Sequence, residues 1–421
     1  MTVGGAVRVP GDKSITHRLL MLAGLARGSS RIRGVLTSLD ARSTARCIRA
    51  LAATISPLRP GAVVTVVGRG TFRAPGASLN CGNAGTTARL LLGLLAAHPF
   101  RVTLTGDRSL RRRPMWRVTE PLERMGAGFM PEAAATLPLT IRGGPLRSLR
   151  WDLPVSSAQL KGALLFAAAA GGVEVSIREP GGLSRDHTER LLRAFGYDVR
   201  DRDGRIEFRP TGTLTPIDVT VPGDASSAAF LAGAALIAER GSIRIEGVGL
   251  NPTRTGFAAV LQRMGGKVVE EQQPEQCGEP FGALEVEASE LRATEITTLE
   301  VPSLIDEIPL LAVVAARARG TTVFREVGEL RVKESDRLAL IAENLRAVGA
   351  VAEARGHDLF VEGSDTPPRG RVRTDGDHRL AMAFAVLGTV TGARVMIDDP
   401  ACADVSFPGF RGALRSIQRR S

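Results

Sequence analysis

One unit, written six times at intervals of about seventy residues, constrains this chain more than any other feature of its sequence. A turn rich in Gly, Ser or Asp leads into an Ala/Leu-rich stretch. A Gly-containing break follows, and then a short run of β-formers. The copies open at Gly11 (GDKSITHRLLMLAGLARGSSRIRGV), Gly82 (GNAGTTARLLLGLLAAHPFRVTLTG), Val155 (VSSAQLKGALLFAAAAGGVEVSIREPG), Gly223 (GDASSAAFLAGAALIAERGSIRIEGV), Pro302 (PSLIDEIPLLAVVAARARGTTVFREV) and Gly376 (GDHRLAMAFAVLGTVTGARVMIDD). Their starts lie 71, 73, 68, 79 and 74 residues apart. Most copies carry a second helical stretch, such as WRVTEPLERMGAGF or NPTRTGFAAVLQRMGGKVV, with apolar residues at helical spacing ahead of a Gly.

That period exceeds the roughly 20–50 residues of a solenoid repeat, so six units imply two compact halves of three. Each unit reads as strand, buried helix, strand, exposed amphipathic helix and strands, an α/β architecture. The first helices are apolar almost all round, which calls for burial, and the second have one polar face. Gly223-Asp224 echoes Gly11-Asp12. We therefore expect one domain from 1–11 with 223–421, holding repeats four to six plus the N-terminal strand, and another from 12–222.

Whole-chain properties remove several function classes. No apolar run approaches the ~20 residues of a membrane span. The start, MTVGGAVRVPGDKS, lacks the basic end and apolar core of a signal peptide, so a cytoplasmic protein is expected. Cys47, Cys81, Cys277 and Cys402 are scattered with no CxxC pair, which points to reduced thiols. The net charge of +11 has two readings, Arg-rich solvated faces or attraction of anionic ligands. Aromatics make up only 4% of the chain, too few for single-strand stacking platforms, so no nucleic-acid partner is expected. Neither GxxxxGK[ST] nor a strand-linked GxGxxG occurs, and no His/Asp/Glu group has metal-ligand spacing. Nucleotide-binding folds are therefore disfavoured.

The helix openings are where the cations gather. A helix N-terminus offers unpaired N–H groups and partial positive charge. Such a start serves either as a plain cap or as an anion site. Lys13, Ser14 and Arg18 share the first opening, and Gly85 and Arg89 mark the second. Arg108, Arg111, Arg112 and Arg113 follow in GDRSLRRRPM. Ser156, Ser157, Gln159 and Lys161 crowd the third, with Arg185, Asp186 and His187 behind them. Asp306-Glu307 interrupts an apolar stretch, a costly place for a carboxylate unless it is paired, which marks a candidate base. Lys333, Glu334, Asp336 and Arg337 follow, then Asp377, His378 and Arg379. His187 and His378 read as structural. Small polyanions are the natural ligands of so many cations at element ends.

Together GDKSITHR, GNAGTTAR, SLRRRPM, SAQLKGALL, RVKESDRL and GDHRLAMA resemble the 5-enolpyruvylshikimate-3-phosphate synthase family, in its order from Lys13 to about Pro408. The resemblance implies an inverse α/β barrel of two similar domains, each of three βαβαββ units, closing on substrate, with the active site in the cleft between them. It implies transfer of the enolpyruvyl group of phosphoenolpyruvate to the 5-hydroxyl of shikimate 3-phosphate, releasing phosphate, in aromatic amino-acid biosynthesis. By the same likeness Lys13, Ser14, Arg18, Ser157, Gln159, Arg185, Asp306 and Lys333 hold shikimate 3-phosphate. Lys13, Gly85, Arg113, Gln159, Arg337 and Arg379 surround phosphoenolpyruvate. Asp306 is the base, and Glu334 the acid with Lys13 close behind. A monomer without cofactor is implied, and glyphosate is expected to occupy the donor pocket. The chain departs from the family at Val405, where many members have a lysine, at Ala158, where some have a serine, and at Glu329, where some have an asparagine. The rival readings are a UDP-N-acetylglucosamine enolpyruvyl transferase and a non-catalytic basic nucleic-acid-binding protein.

Overall fold

A computed structural model describes residues 1–132, 135–181, 184–276 and 278–419. Cys277 lies outside the described residues, while Cys47, Cys81 and Cys402 are free buried thiols. The chain divides into two compact units: Met1–Pro10 with Pro222–Glu275 and Pro280–Ser421, and Gly11–Val221 with Gln276–Glu279. Each has its own apolar core.

In the Gly11–Val221 unit the repeat becomes three four-stranded sheets of one design. A strand, a buried helix and a second strand parallel to the first form a βαβ element. An outer helix and an antiparallel hairpin complete it. Leu149–Asp152 thus runs parallel to Val175–Arg178 around the Ala158–Gly171 helix, in the register Val175↔Leu149 and Ile177↔Trp151. Arg205–Arg209 and Asp198–Arg202 add the hairpin. Leu79–Asn80 and Arg101–Thr105 bracket the Gly85–Ala96 helix in the same way. The sheet built on Arg27–Arg33 takes its parallel partner from the far end of the unit, Asp218–Thr220.

The buried helices follow from composition. Every residue from Ile15 to Leu25 in the Lys13–Leu25 helix is buried, as its mostly apolar run from Leu19 to Leu25 requires. Gly93 lets the Gly85–Ala96 and Ala158–Gly171 helices meet backbone to backbone, since a Cβ there would stand 2.1 Å from the Ala163 carbonyl oxygen. Asp12 and Ser157 cap their helices, accepting from the N–H groups of Ile15 at 2.9 Å and Leu160 at 3.4 Å. The Trp116–Met125 helix instead buries one stripe, Val118, Leu122 and Met125, and stops at left-handed Gly126.

The other unit repeats the plan around the Ala225–Leu236, Ile308–Ala315 and His378–Leu387 helices; all residues of the first two are buried. Thr2–Arg8 lies parallel to Arg240–Gly249 and antiparallel to Gln418–Arg419, so both chain ends enter one sheet. The sixth repeat is abbreviated. Arg369–Val372 pairs with Arg394–Ile397 in a sheet of only two strands. Residues 276–279 group with the Gly11–Val221 unit, where Glu279 meets buried His187 Nδ1 at 2.7 Å and the Gly278 carbonyl accepts from Arg190 at 2.7 Å.

Candidate active site

Within the Gly11–Val221 unit, two helix openings and one basic turn form a cluster. Gln159, in the first turn of its helix, accepts from Arg89 Nη1 at 2.7 Å and donates through Nε2 to Thr86 Oγ1 at 2.9 Å. Arg89 also donates to the Pro114 carbonyl at 3.0 Å. Arg113 is buried; its Nη2 donates to Asn83 Oδ1 and, at 3.2 Å, to Ser109 Oγ. Gly85 sits under both guanidiniums. A Cβ on it would lie 2.9 Å from Arg89 Nη1 and 3.1 Å from Arg113 Nη1. The preceding residue, Ala84, brings no side-chain oxygen to the helix start, which leaves its N–H groups for a ligand.

At the other end of this cluster Lys13 begins its helix, with Nζ 3.5 Å from Asp40 Oδ2. Arg18 is fully buried and donates to Thr188 Oγ1 at 2.7 Å, Ser14 O at 3.1 Å and Ala158 O at 3.3 Å. It therefore ties the Lys13 opening to the Ser157 opening. Burial lowers the Arg18 guanidinium to about 10, opposed by Glu189 and Asp12, so it stays charged at neutral pH. Ser157 Oγ is engaged as a cap, and its N–H donates to Glu179 at 2.9 Å. Arg185 is half-buried nearby on the sequence and close enough to Arg18 to influence its charge.

Lys161 has a different role from its neighbours in the opening. Its ammonium is wholly buried, 2.9 Å from Glu179, 2.8 Å from Glu189 and 3.1 Å from the Ser184 carbonyl. It is a structural ion. His187 is likewise structural, bound to Glu279.

His17, one turn beyond Lys13, is buried with Nδ1 2.6 Å from Thr44 Oγ1, which in turn contacts Thr87 Oγ1 at 2.6 Å. Burial, helped by the charges of Lys13 and Arg18, pushes its imidazole down to about 3. The unfolded chain takes up this proton below about pH 6.5 and the folded one only near 3, so stability falls as pH drops through that window. From pH 7 to pH 5 the loss assigned to His17 is about 2 kcal/mol. Urea midpoints at both pH values should show it, and His17→Gln should flatten the slope; equal slopes in both proteins would exclude His17 as the cause.

Within the other unit a denser network surrounds Asp306, at the turn into the Ile308–Ala315 helix. Its Oδ1 is 3.3 Å from Arg337 Nη1 and its Oδ2 3.7 Å from Arg379 Nη2, and its carbonyl accepts from Arg379 Nη1 at 2.8 Å. Arg337 is fully buried. Its Nε donates to Asp377 Oδ2 at 2.7 Å, and Nη2 pairs with Glu334. Burial lowers its affinity for the proton, but Asp377, Glu334 and Asp306 outweigh that and raise it well above the usual arginine range. Asp377 also caps the last buried helix through the Arg379 N–H at 2.9 Å. Lys333 and Glu334 are half-buried at the end of the preceding 3-10 turn. Val405 closes the Pro400–Val405 turn and brings no charge there.

The structure thus joins Gly85, Arg113 and Gln159 through Arg89, joins Arg18 to the start of the Ser157 helix, and joins Asp306, Glu334, Arg337 and Arg379 into one ionic set. Asp40, Ser226 and Arg254 were not marked as site residues by the sequence. Asp40 sits in the first turn of a capped helix, where an acid already has a local reason to be. Arg254 carries no sequence signal beyond its charge. Among the described residues no helix is long and apolar enough to cross a membrane.

Comparison with known proteins adds a second line. A family model described as EPSP synthase (3-phosphoshikimate 1-carboxyvinyltransferase) matches residues 1–414. A 3-phosphoshikimate 1-carboxyvinyltransferase of Acidiphilium cryptum is 47% identical over 98% of this chain and 94% of its own length. One of Desulforamulus reducens is 43% identical over 98% and 96%. The solved EPSP synthase from Acinetobacter baumannii superposes with a TM-score of 0.87 at 37% identity, covering 99% of this chain and 96% of that one. The enolpyruvyl transferase NikO from Streptomyces tendae, at 19% identity and a TM-score of 0.77 over 99% and 95%, shares the fold.

Proposed function

The chain belongs to the EPSP synthase (3-phosphoshikimate 1-carboxyvinyltransferase) family, and from that premise we propose which of its side chains carry the reaction. It is a transferase of the shikimate pathway that moves the enolpyruvyl group of phosphoenolpyruvate to the 5-hydroxyl of shikimate 3-phosphate. The observation that best supports the residue assignment is the Asp306 carboxylate flanked by the guanidiniums of Arg337 and Arg379. That arrangement pairs a proton acceptor with two groups suited to an anionic donor.

Asp306 takes the proton of the 5-hydroxyl as its oxygen attacks C2 of the enol. Glu334 delivers a proton to the CH2 carbon, with Lys13 as the second candidate for that proton. The tetrahedral adduct then expels phosphate, whose charge falls to Lys13, Arg113 and Arg337. Ser14, Arg18, Ser157, Gln159, Arg185 and Lys333, with Lys13 and Asp306, hold the acceptor. Gly85, Arg113, Gln159, Arg337 and Arg379, with Lys13, hold the donor. Arg18 retains N–H groups beyond its three protein bonds, because a guanidinium has five. The enzyme works in the cytoplasm as a monomer, and no metal takes part.

Phosphate release in the presence of phosphoenolpyruvate tests the acceptor. Turnover is expected with shikimate 3-phosphate and not with UDP-N-acetylglucosamine; the reverse pattern would refute the assignment. Gly85→Ala tests the donor side. Its Cβ pushes against the far ends of Arg89 and Arg113, which yield without unfolding the protein. The KM for phosphoenolpyruvate should rise about tenfold or more, a loss of roughly 1.4 kcal/mol in binding, with glyphosate inhibition weakened alongside. An unchanged donor KM would move the donor away from Gly85.

A further inference from the structure

The ionic set around Asp306 has an inner layer that the reaction as described does not use. Glu307 is completely buried, next to Leu304, Ile308, Leu310 and Leu311 in sequence, all themselves fully buried. A carboxylate in such surroundings is expensive unless it is partnered. Its Oε2 has no hydrogen-bond partner and is closed to solvent. Its stabilisation therefore comes through Oε1, which accepts from the Ser226 hydroxyl and lies 3.4 Å from Arg379 Nη1.

Ser226 is the node of this layer. Its Oγ accepts from Arg254 Nη2 at 2.6 Å and from Arg379 Nη2 at 3.4 Å. A hydroxyl has one proton and two lone pairs, and guanidinium groups only donate. The two arginines take the lone pairs, so the proton must point to Glu307. Every valence of the hydroxyl is used and its rotor has one orientation.

The consequence falls on Arg379. Its Nη1 is gripped by the Asp306 carbonyl and by Glu307, and its Nη2 faces Ser226 Oγ and Asp306 Oδ2. Two of these acceptors, Glu307 and Ser226, belong to residues other than Asp306. Without them, the strongest remaining pull on the guanidinium is Asp306 itself, and closing that pair would occupy both the cation and the base. The geometry points to Glu307, oriented through Ser226 and Arg254, as a positioning residue that keeps Arg379 presented to the anionic donor and holds its contact with the Asp306 carboxylate at 3.7 Å rather than closed. This rests on the reading of Arg379 as a donor ligand.

Steady-state kinetics of Glu307→Gln, Ser226→Ala, Arg379→Ala and the Glu307→Gln/Arg379→Ala double variant test it, with thermal midpoints measured for each. Glutamine keeps the shape and the acceptor oxygen but removes the charge. Glu307→Gln should raise the KM for phosphoenolpyruvate about tenfold while that for shikimate 3-phosphate moves less than about twofold. Ser226→Ala should act in the same direction and serves if Glu307→Gln fails to fold. In the Arg379→Ala background Glu307→Gln should add nothing to the donor KM. A large effect of Arg379→Ala with none from Glu307→Gln or Ser226→Ala overturns the positioning role alone. Multiplicative effects in the double variant, or equal rises in both KM values with a lowered midpoint, overturn it too. A silent Arg379→Ala overturns the donor assignment and this inference with it.

Discussion

Asp306→Ala is expected to lower turnover by about 10²–10⁴-fold, the range of a lost general base, while the KM for shikimate 3-phosphate shifts by less than about threefold. The fold should survive. Arg337 keeps Asp377 and Glu334 as partners, and Arg379 keeps Glu307, so neither buried cation loses its last counter-charge. Asp306→Asn separates charge from shape, since it retains an acceptor for Arg337 but cannot take up a proton at neutral pH. Both variants should be comparably slow. Single-turnover measurements with both substrates bound would place the loss in the chemical step. Undiminished turnover in either variant would remove Asp306 from the proton-transfer role, and a rise in the acceptor KM alone would reduce it to a binding residue.

Lys161→Met is expected to cost the protein about 3–5 kcal/mol, the penalty for breaking a buried ionic group from one side. Lys161 stands between Glu179 and Glu189, and the side chains of all three are almost or wholly excluded from solvent. Burial alone would lower the ammonium's affinity for its proton, but Glu189 and Glu179 outweigh it and raise it above the usual lysine range. The raised value means the stabilisation is present below the unfolded lysine value, about pH 10.4, and is lost as pH rises through the higher folded one. Methionine leaves two buried carboxylates without the ammonium that stands between them. For a unit of this size the midpoint of thermal unfolding should fall by roughly 6–20 °C. Glu189→Gln alone should cost less, because Lys161 keeps Glu179. A Lys161→Met protein as stable as its parent would show that the carboxylates find another partner.

The two predictions fall on opposite sides of what local sequence can reveal. Lys161 and Gln159 stand two residues apart at one helix start, with the same hydroxyl-rich neighbours. A helix start by itself does not say which side chain faces out and which faces in. The turn of the helix, and the arrival of Glu179 and Glu189 from other elements, makes Lys161 a structural ion and leaves Gln159 beside Arg89. Asp306 could be singled out because a carboxylate in an apolar run is locally anomalous. Its partners Arg337 and Arg379 lie 31 and 73 residues away in sequence, beyond any spacing rule. Ser226 and Arg254 had no such anomaly and became visible only through their bonds.

From its residues alone this chain determined the sixfold βαβ-type repeat, the burial of six Ala/Leu-rich helices and the gathering of cations and acids at their starts. Periodicity, capping and hydropathy act within a turn or two of the backbone, so they can be read along the chain. Which acid meets which base was decided by tertiary structure: Lys13 with Asp40, Arg337 with Asp377, Glu307 with Ser226 and Arg379. Those pairings depend on distances of a few ångströms between elements far apart in sequence, and Coulomb and hydrogen-bond energies respond to that separation rather than to order along the chain.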